Sequence, residues 1–107
     1  MRFKVIDRDP LLELSRQVAK FVRDVVPQEP NTPALKAAHE AAEFARAPSA
    51  EEAADVLICL LGWAELNGLS AASIVAEAEV KMQINLARTW ELQQDGTWQH
   101  FQPSDAA

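Results

Sequence analysis

The chain has 107 residues and a formal net charge of -6, with 49% hydrophobic and 24% charged residues. That is enough for one folded domain with a modest core, and too apolar for a disordered chain. The acidic balance excludes a broad grip on nucleic-acid phosphates or an anionic membrane surface.

Abundant alanine, three glycines and no tyrosine favour helix over strand, so the expected class is all-α, a single domain over 1–107. The N-terminal "MRFKVIDRDP" lacks the apolar stretch of a secretion signal, which makes a cytoplasmic protein the expectation. Asp9 before Pro10 predicts a helix start, with Leu11, Leu14, Val18, Phe21, Val22 and Val25 on one apolar stripe. "VVPQEPNTP" stops that helix, and Thr32 with Pro33 opens a second running to about Arg46. Ser49 with Glu52 has capping-box spacing and starts a third, closed near Leu66 by Asn67-Gly68. Within it, "VLICLLGWA" is apolar all round and too short to span a membrane, and Cys59 there reads as an inert buried thiol. Being the only cysteine, it allows no internal disulfide. Ser70 caps a fourth helix reaching about Trp90, and "ELQQDGTWQHFQPSDAA" is a tail, residues 91–107, either a short hairpin or an irregular ordered segment around a turn at Asp95-Gly96.

The chemistry lies in two carboxylate pairs. Glu40 and Glu43 are three apart on the second helix, Glu52 and Asp55 three apart on the third, so each pair shares a face. The short connection makes the two helices an antiparallel hairpin with both pairs at its loop end. Ala37, Ala38, Ala41, Ala42, Ala53 and Ala54 allow close backbone approach. Four converging carboxylates repel unless a cation neutralises them, and an oxygen-only ligand set suits Mg²⁺, with Mn²⁺ as substitute. The same residues also read as a capping box, as complements to the helix dipole, and as ordinary solvated charges. A di-iron bundle is disfavoured because no Glu-x-x-His occurs.

Glu-x-x-Glu, a short spacer, Glu-x-x-Asp and then "KMQINLARTW" together resemble the MazG-like all-α nucleotide pyrophosphohydrolases, nearest the small dATP/dGTP pyrophosphohydrolase branch. His39 stands where many relatives carry the first Glu of a doublet. The resemblance implies a four-helix MazG-like bundle and Mg²⁺-dependent hydrolysis of a nucleoside triphosphate to monophosphate and pyrophosphate. It also implies metal ligation by Glu40, Glu43, Glu52 and Asp55, and phosphate contact or site ordering by Lys81 and Asn85. Arg88 follows Lys81 and Asn85 at helical spacing, so the three offer two cations and an amide to polyphosphate oxygens, although cations near a helix C-terminus also suit its dipole.

Lys36, one turn before Glu40, either reaches the same phosphates or forms an ordinary i,i+4 pair. Glu40 is the candidate base orienting a metal-activated water for in-line attack. Trp63, Trp90 and Trp98 read as core or interface rather than base-stacking residues, and His39 and His100 are given no ligand role. Apolar residues in excess of what a hairpin can cover predict a homodimer or higher homo-oligomer. Two rival readings are a non-catalytic helical module that binds a nucleotide or a partner, and an acidic bundle with structural metal only.

Overall fold

In the computed structural model, which describes residues 9–101, the chain divides into two compact units, Met1–Ile74 and Val75–Ala107. The first unit holds α1 (Pro10–Lys20), extended by a π-helical turn (Phe21–Val25), then α2 (Thr32–Arg46) and α3 (Ala50–Leu66). A fourth helix, α4 (Ala71–Ala87), begins in the first unit and continues in the second, where β1 (Trp90–Leu92) and β2 (Trp98–His100) follow. The protein is all-α with a two-stranded C-terminal hairpin, as the sequence predicts. Among the described residues, no single helix is long and apolar enough to cross a membrane.

Local signals place most helix ends. The Asp9 carboxylate accepts from the backbone N–H groups of Leu11 and Leu12, both at 3.1 Å, and Pro10 takes the first helical position, where its missing N–H costs nothing. At the end of α3, Gly68 adopts φ +71°, and Leu69 N–H donates to the Ala64 carbonyl at 2.8 Å, closing the helix with a left-handed residue. The start of α2 differs by one residue from the expected cap. Asn31, not Thr32, is the cap position, and its side chain does not cap, because Trp63 Nε1 donates to Asn31 Oδ1 at 3.2 Å. Trp63 is thereby fixed inside the first unit.

The core is thin. Val18, Val22, Leu61 and Ala64 are its buried apolar residues, with Leu11, Leu14, Ile58 and Leu66 packed alongside. They join α1 to α3, and Gly62 permits that approach: a Cβ there would stand 3.2 Å from Val22 Cγ1. Two members of the expected α1 stripe leave it, Phe21 and Val25, the latter 63% exposed. The π turn explains the departure, since the Val26 N–H reaches back to the Phe21 carbonyl at 2.9 Å and the widened turn rotates Val25 off the face. Nor is the middle of α3 buried on every side: Leu57 and Leu60 are 40% and 47% exposed in the single chain.

In the second unit, α4 stops at Ala87, short of the expected Trp90, because Trp90 pairs with His100 in the antiparallel hairpin. Trp90 Nε1 donates to the Asn85 carbonyl at 2.8 Å, and its ring meets His100 edge-on at 6.0 Å. The tight turn uses Gly96 at φ +86°, with the Asp95 carboxylate accepting from the Thr97 N–H and hydroxyl.

Candidate metal centre

α2 and α3, joined by residues 47–49, fold back on each other in the most extensive helix pairing. The Ser49 hydroxyl accepts from Glu52 N–H at 3.0 Å, which starts α3 and sets the rotation of its first turns. With the helix so rotated, Glu52 and Asp55 share a face, and Glu40 of α2 comes to meet them. One carboxylate oxygen from each of Glu40, Glu52 and Asp55 lies within 4.8 Å of the others. Glu43 is exposed and outside that trio, although its negative charge bears on Glu52.

The electrostatics are unfavourable as they stand. Burial, then the charges of Glu43, Asp55 and Glu40, push the Glu52 carboxyl above its ordinary range. Glu52 Oε2 is buried without a hydrogen-bond partner among the described residues, so the reciprocal half of the capping box is not made through it. Such an oxygen costs stability unless something compensates it. A hard divalent cation would do so: three carboxylates with no sulfur or imidazole among them match the donor preference of Mg²⁺ or Mn²⁺.

Glu40 is held from its own helix. Lys36 Nζ lies 3.0 Å from Glu40 Oε1, and the glutamate side chain is only 12% exposed. A pocket of about 160 Å³ opens beside Glu40 and Asp55, walled by Phe21, Val22, Pro33 and Ile58, with Lys36 and Cys59 also in its lining. Cys59 is half-buried rather than buried, and desolvation followed by the Glu40 charge raises its thiol above the ordinary value, which keeps it a poor nucleophile. The sequence reading missed this pocket. Its α3 wall was visible as Asp55, Cys59 and Gly62 at i, i+4 and i+7, whereas Phe21 and Val22 depend on the π turn.

Of the remaining candidates, Lys81 and Asn85 stand on α4 in the second unit, and Arg88 lies one residue beyond the helix end rather than on its face. Asn85 also uses its backbone carbonyl to hold Trp90. His39 is exposed.

Three comparisons with known proteins bear on the family and the fold. The chain is similar to a dATP/dGTP diphosphohydrolase of Salmonella phage PMBT28, 46% identical over 68 residues, which cover 62% of this chain and 22% of that protein. The match thus spans about a fifth of the length of that curated relative. Its fold is similar to that of the cyanophage S-2L MazG-like pyrophosphohydrolase, solved bound to dGDP and three catalytic Mn²⁺ ions per active site. That likeness has a TM-score of 0.70 at 27% identity, covering 89% of this chain and 100% of the other. Residues 16–105 match the family described as dATP/dGTP pyrophosphohydrolase, and the chain belongs to that family.

Proposed function

We propose that this protein hydrolyses a purine deoxynucleoside triphosphate to the monophosphate and pyrophosphate, using Mg²⁺ or, in its place, Mn²⁺. The observation that carries this reading is the meeting of Glu40, Glu52 and Asp55 from two helices, with Glu52 Oε2 left buried and unpaired. Glu40, Glu52 and Asp55 would hold the metal, with Glu43 adding charge and a further ligand at the edge. Bound there, divalent cations supply charge neutralisation and a water acidic enough to act as nucleophile near neutral pH.

The chain's own groups do the positioning. Glu40, the candidate orienting base, has a largely buried side chain between the helices, which limits the directions its carboxylate can take. The apolar wall of Phe21, Val22, Pro33 and Ile58 offers the nucleoside a dry surface beside the acidic end. Lys81, Asn85 and Arg88 are assigned to the phosphates, for which they supply two cations and an amide donor. A homodimer completes the fold on this account, since Leu35, Leu57 and Leu60 of the first unit are exposed in the single chain.

Purified protein should be offered the eight common ribo- and deoxyribonucleoside triphosphates with Mg²⁺, then with Mn²⁺, and pyrophosphate release followed. Release from dATP or dGTP, lost on chelation, is the expected result. Binding of nucleotide without release would favour the non-catalytic module, and metal binding with neither nucleotide binding nor release would favour a purely structural ion.

A further inference from the structure

The Lys36–Glu40 pair makes little sense as a helix stabiliser. The lysine precedes the glutamate, the weaker of the two i,i+4 orders, and it lies past the first turn of α2, so the helix itself gains little from the pair. The two partners also differ in freedom. Glu40 is 12% exposed and fixed among the site residues, while the Lys36 side chain is 61% exposed and can swing without disturbing packing. Both line the pocket that holds Asp55, so an ammonium released from Glu40 remains at the mouth of the same cavity.

We propose that Lys36 is a placeholder cation: it neutralises Glu40 in the metal-free protein, yields that oxygen to a divalent ion, and then pairs with the triphosphate that arrives. The inference rests on the metal site proposed above. In this proposal the ion takes the Glu40 oxygen that Lys36 holds, so metal binding alone breaks the contact, brings a divalent charge near a displaced ammonium, and is weakened. A bound triphosphate gives the ammonium a new partner and removes that penalty. Metal and nucleotide therefore assist each other through one side chain, a positive coupling that by linkage acts equally in both directions. Lys36 is in this sense a positioning residue for the metal and a contact residue for the phosphates.

The test is calorimetric titration of Mn²⁺ into the unaltered chain and into Lys36→Met, with and without a non-hydrolysable α,β-methylene dATP. Methionine keeps an unbranched apolar stem and removes the charge. Mn²⁺ alone should bind Lys36→Met about three- to fivefold more tightly, the scale of a partly exposed ion pair. The analogue should bind the Mn²⁺-loaded variant roughly tenfold more weakly, as for loss of one charge-assisted contact. Lys36→Arg should restore the direction of both effects. Unchanged or weaker Mn²⁺ binding by Lys36→Met, with the unaltered chain binding normally, overturns the placeholder role alone. Unchanged analogue binding overturns the transfer to phosphate. If the unaltered chain binds no Mn²⁺, the metal site itself is wrong and this inference fails with it.

Discussion

The two ends of the α1–α3 unit are built on opposite terms. Where α1 crosses α3, the apolar contacts of Val18, Val22, Leu61 and Gly62 make burial favourable, and the one buried polar atom without a partner among the described residues there is the neutral Ser15 hydroxyl. At the loop end of α2 and α3, Glu40, Glu52 and Asp55 crowd together, and Glu52 Oε2 has no hydrogen-bond partner among the described residues. One region stabilises the fold; the other is held in an unfavourable state by it. A metal site made this way would be preorganised, since the packing of α2 on α3 holds the three carboxylates together.

The largest break in that comparison comes from the acidic end. Asp55→Asn should lower pyrophosphate release by about a thousandfold or more, the loss expected when several kcal/mol of charge stabilisation go, while circular dichroism keeps its helical signal. Near-normal turnover would remove Asp55 from the site. At the other end, Gly62→Val forces two methyl groups toward Val22 and should cost about 1–3 kcal/mol in urea unfolding. A neutral result would mean that α1 and α3 separate easily, and the thin core would need another explanation.

The pH dependence sharpens the contrast. Glu52 has a folded value raised above its ordinary 4.5, so the folded state holds the proton more tightly than the unfolded one. Its contribution to metal-free stability is full below that ordinary value and is lost as pH rises through the raised one. Thermal midpoints of the metal-free protein should therefore fall over that window, Glu52→Gln should flatten the fall, and saturating Mn²⁺ should reverse it. A Glu52→Gln profile that follows the unaltered one would assign the pH response elsewhere. The smallest effect belongs to Arg23, whose guanidinium meets Glu65 Oε1 at 2.9 Å with both side chains partly exposed. Arg23→Ala should cost no more than about 1 kcal/mol, again by urea unfolding.

Sequence carried the parts of this structure that are local. Asp9-Pro10, Ser49 with Glu52, and Asn67-Gly68 each announce a helix end within four residues, and all three ends lie where expected. The sequence predicts four converging carboxylates for the same reason, because residues three apart share a face and a short link folds one helix onto the next. Glu40, Glu52 and Asp55 do meet, whereas Glu43 stands outside them. What was not legible depends on distant partners. Thr32 with Pro33 reads as the start of α2, yet the cap position is Asn31, whose side-chain oxygen is taken by Trp63, 32 positions on. The π turn at Phe21–Val25 has no composition signal, yet it rotates Val25 off the stripe and sets the Phe21 wall of the pocket. The end of α4 was decided by the pairing of Trp90 with His100, which pulls the chain out of helix before the helical pattern itself runs out.

A divalent ion held by carboxylates from two helices is the centre of the proposed chemistry. Electron paramagnetic resonance can follow free Mn²⁺ directly as it is titrated into the metal-free protein. Saturable disappearance of the free-ion signal, strongly weakened in both Glu52→Gln and Asp55→Asn, is the result expected. A free signal that tracks total Mn²⁺ from the first addition, or binding indifferent to both substitutions, would contradict it.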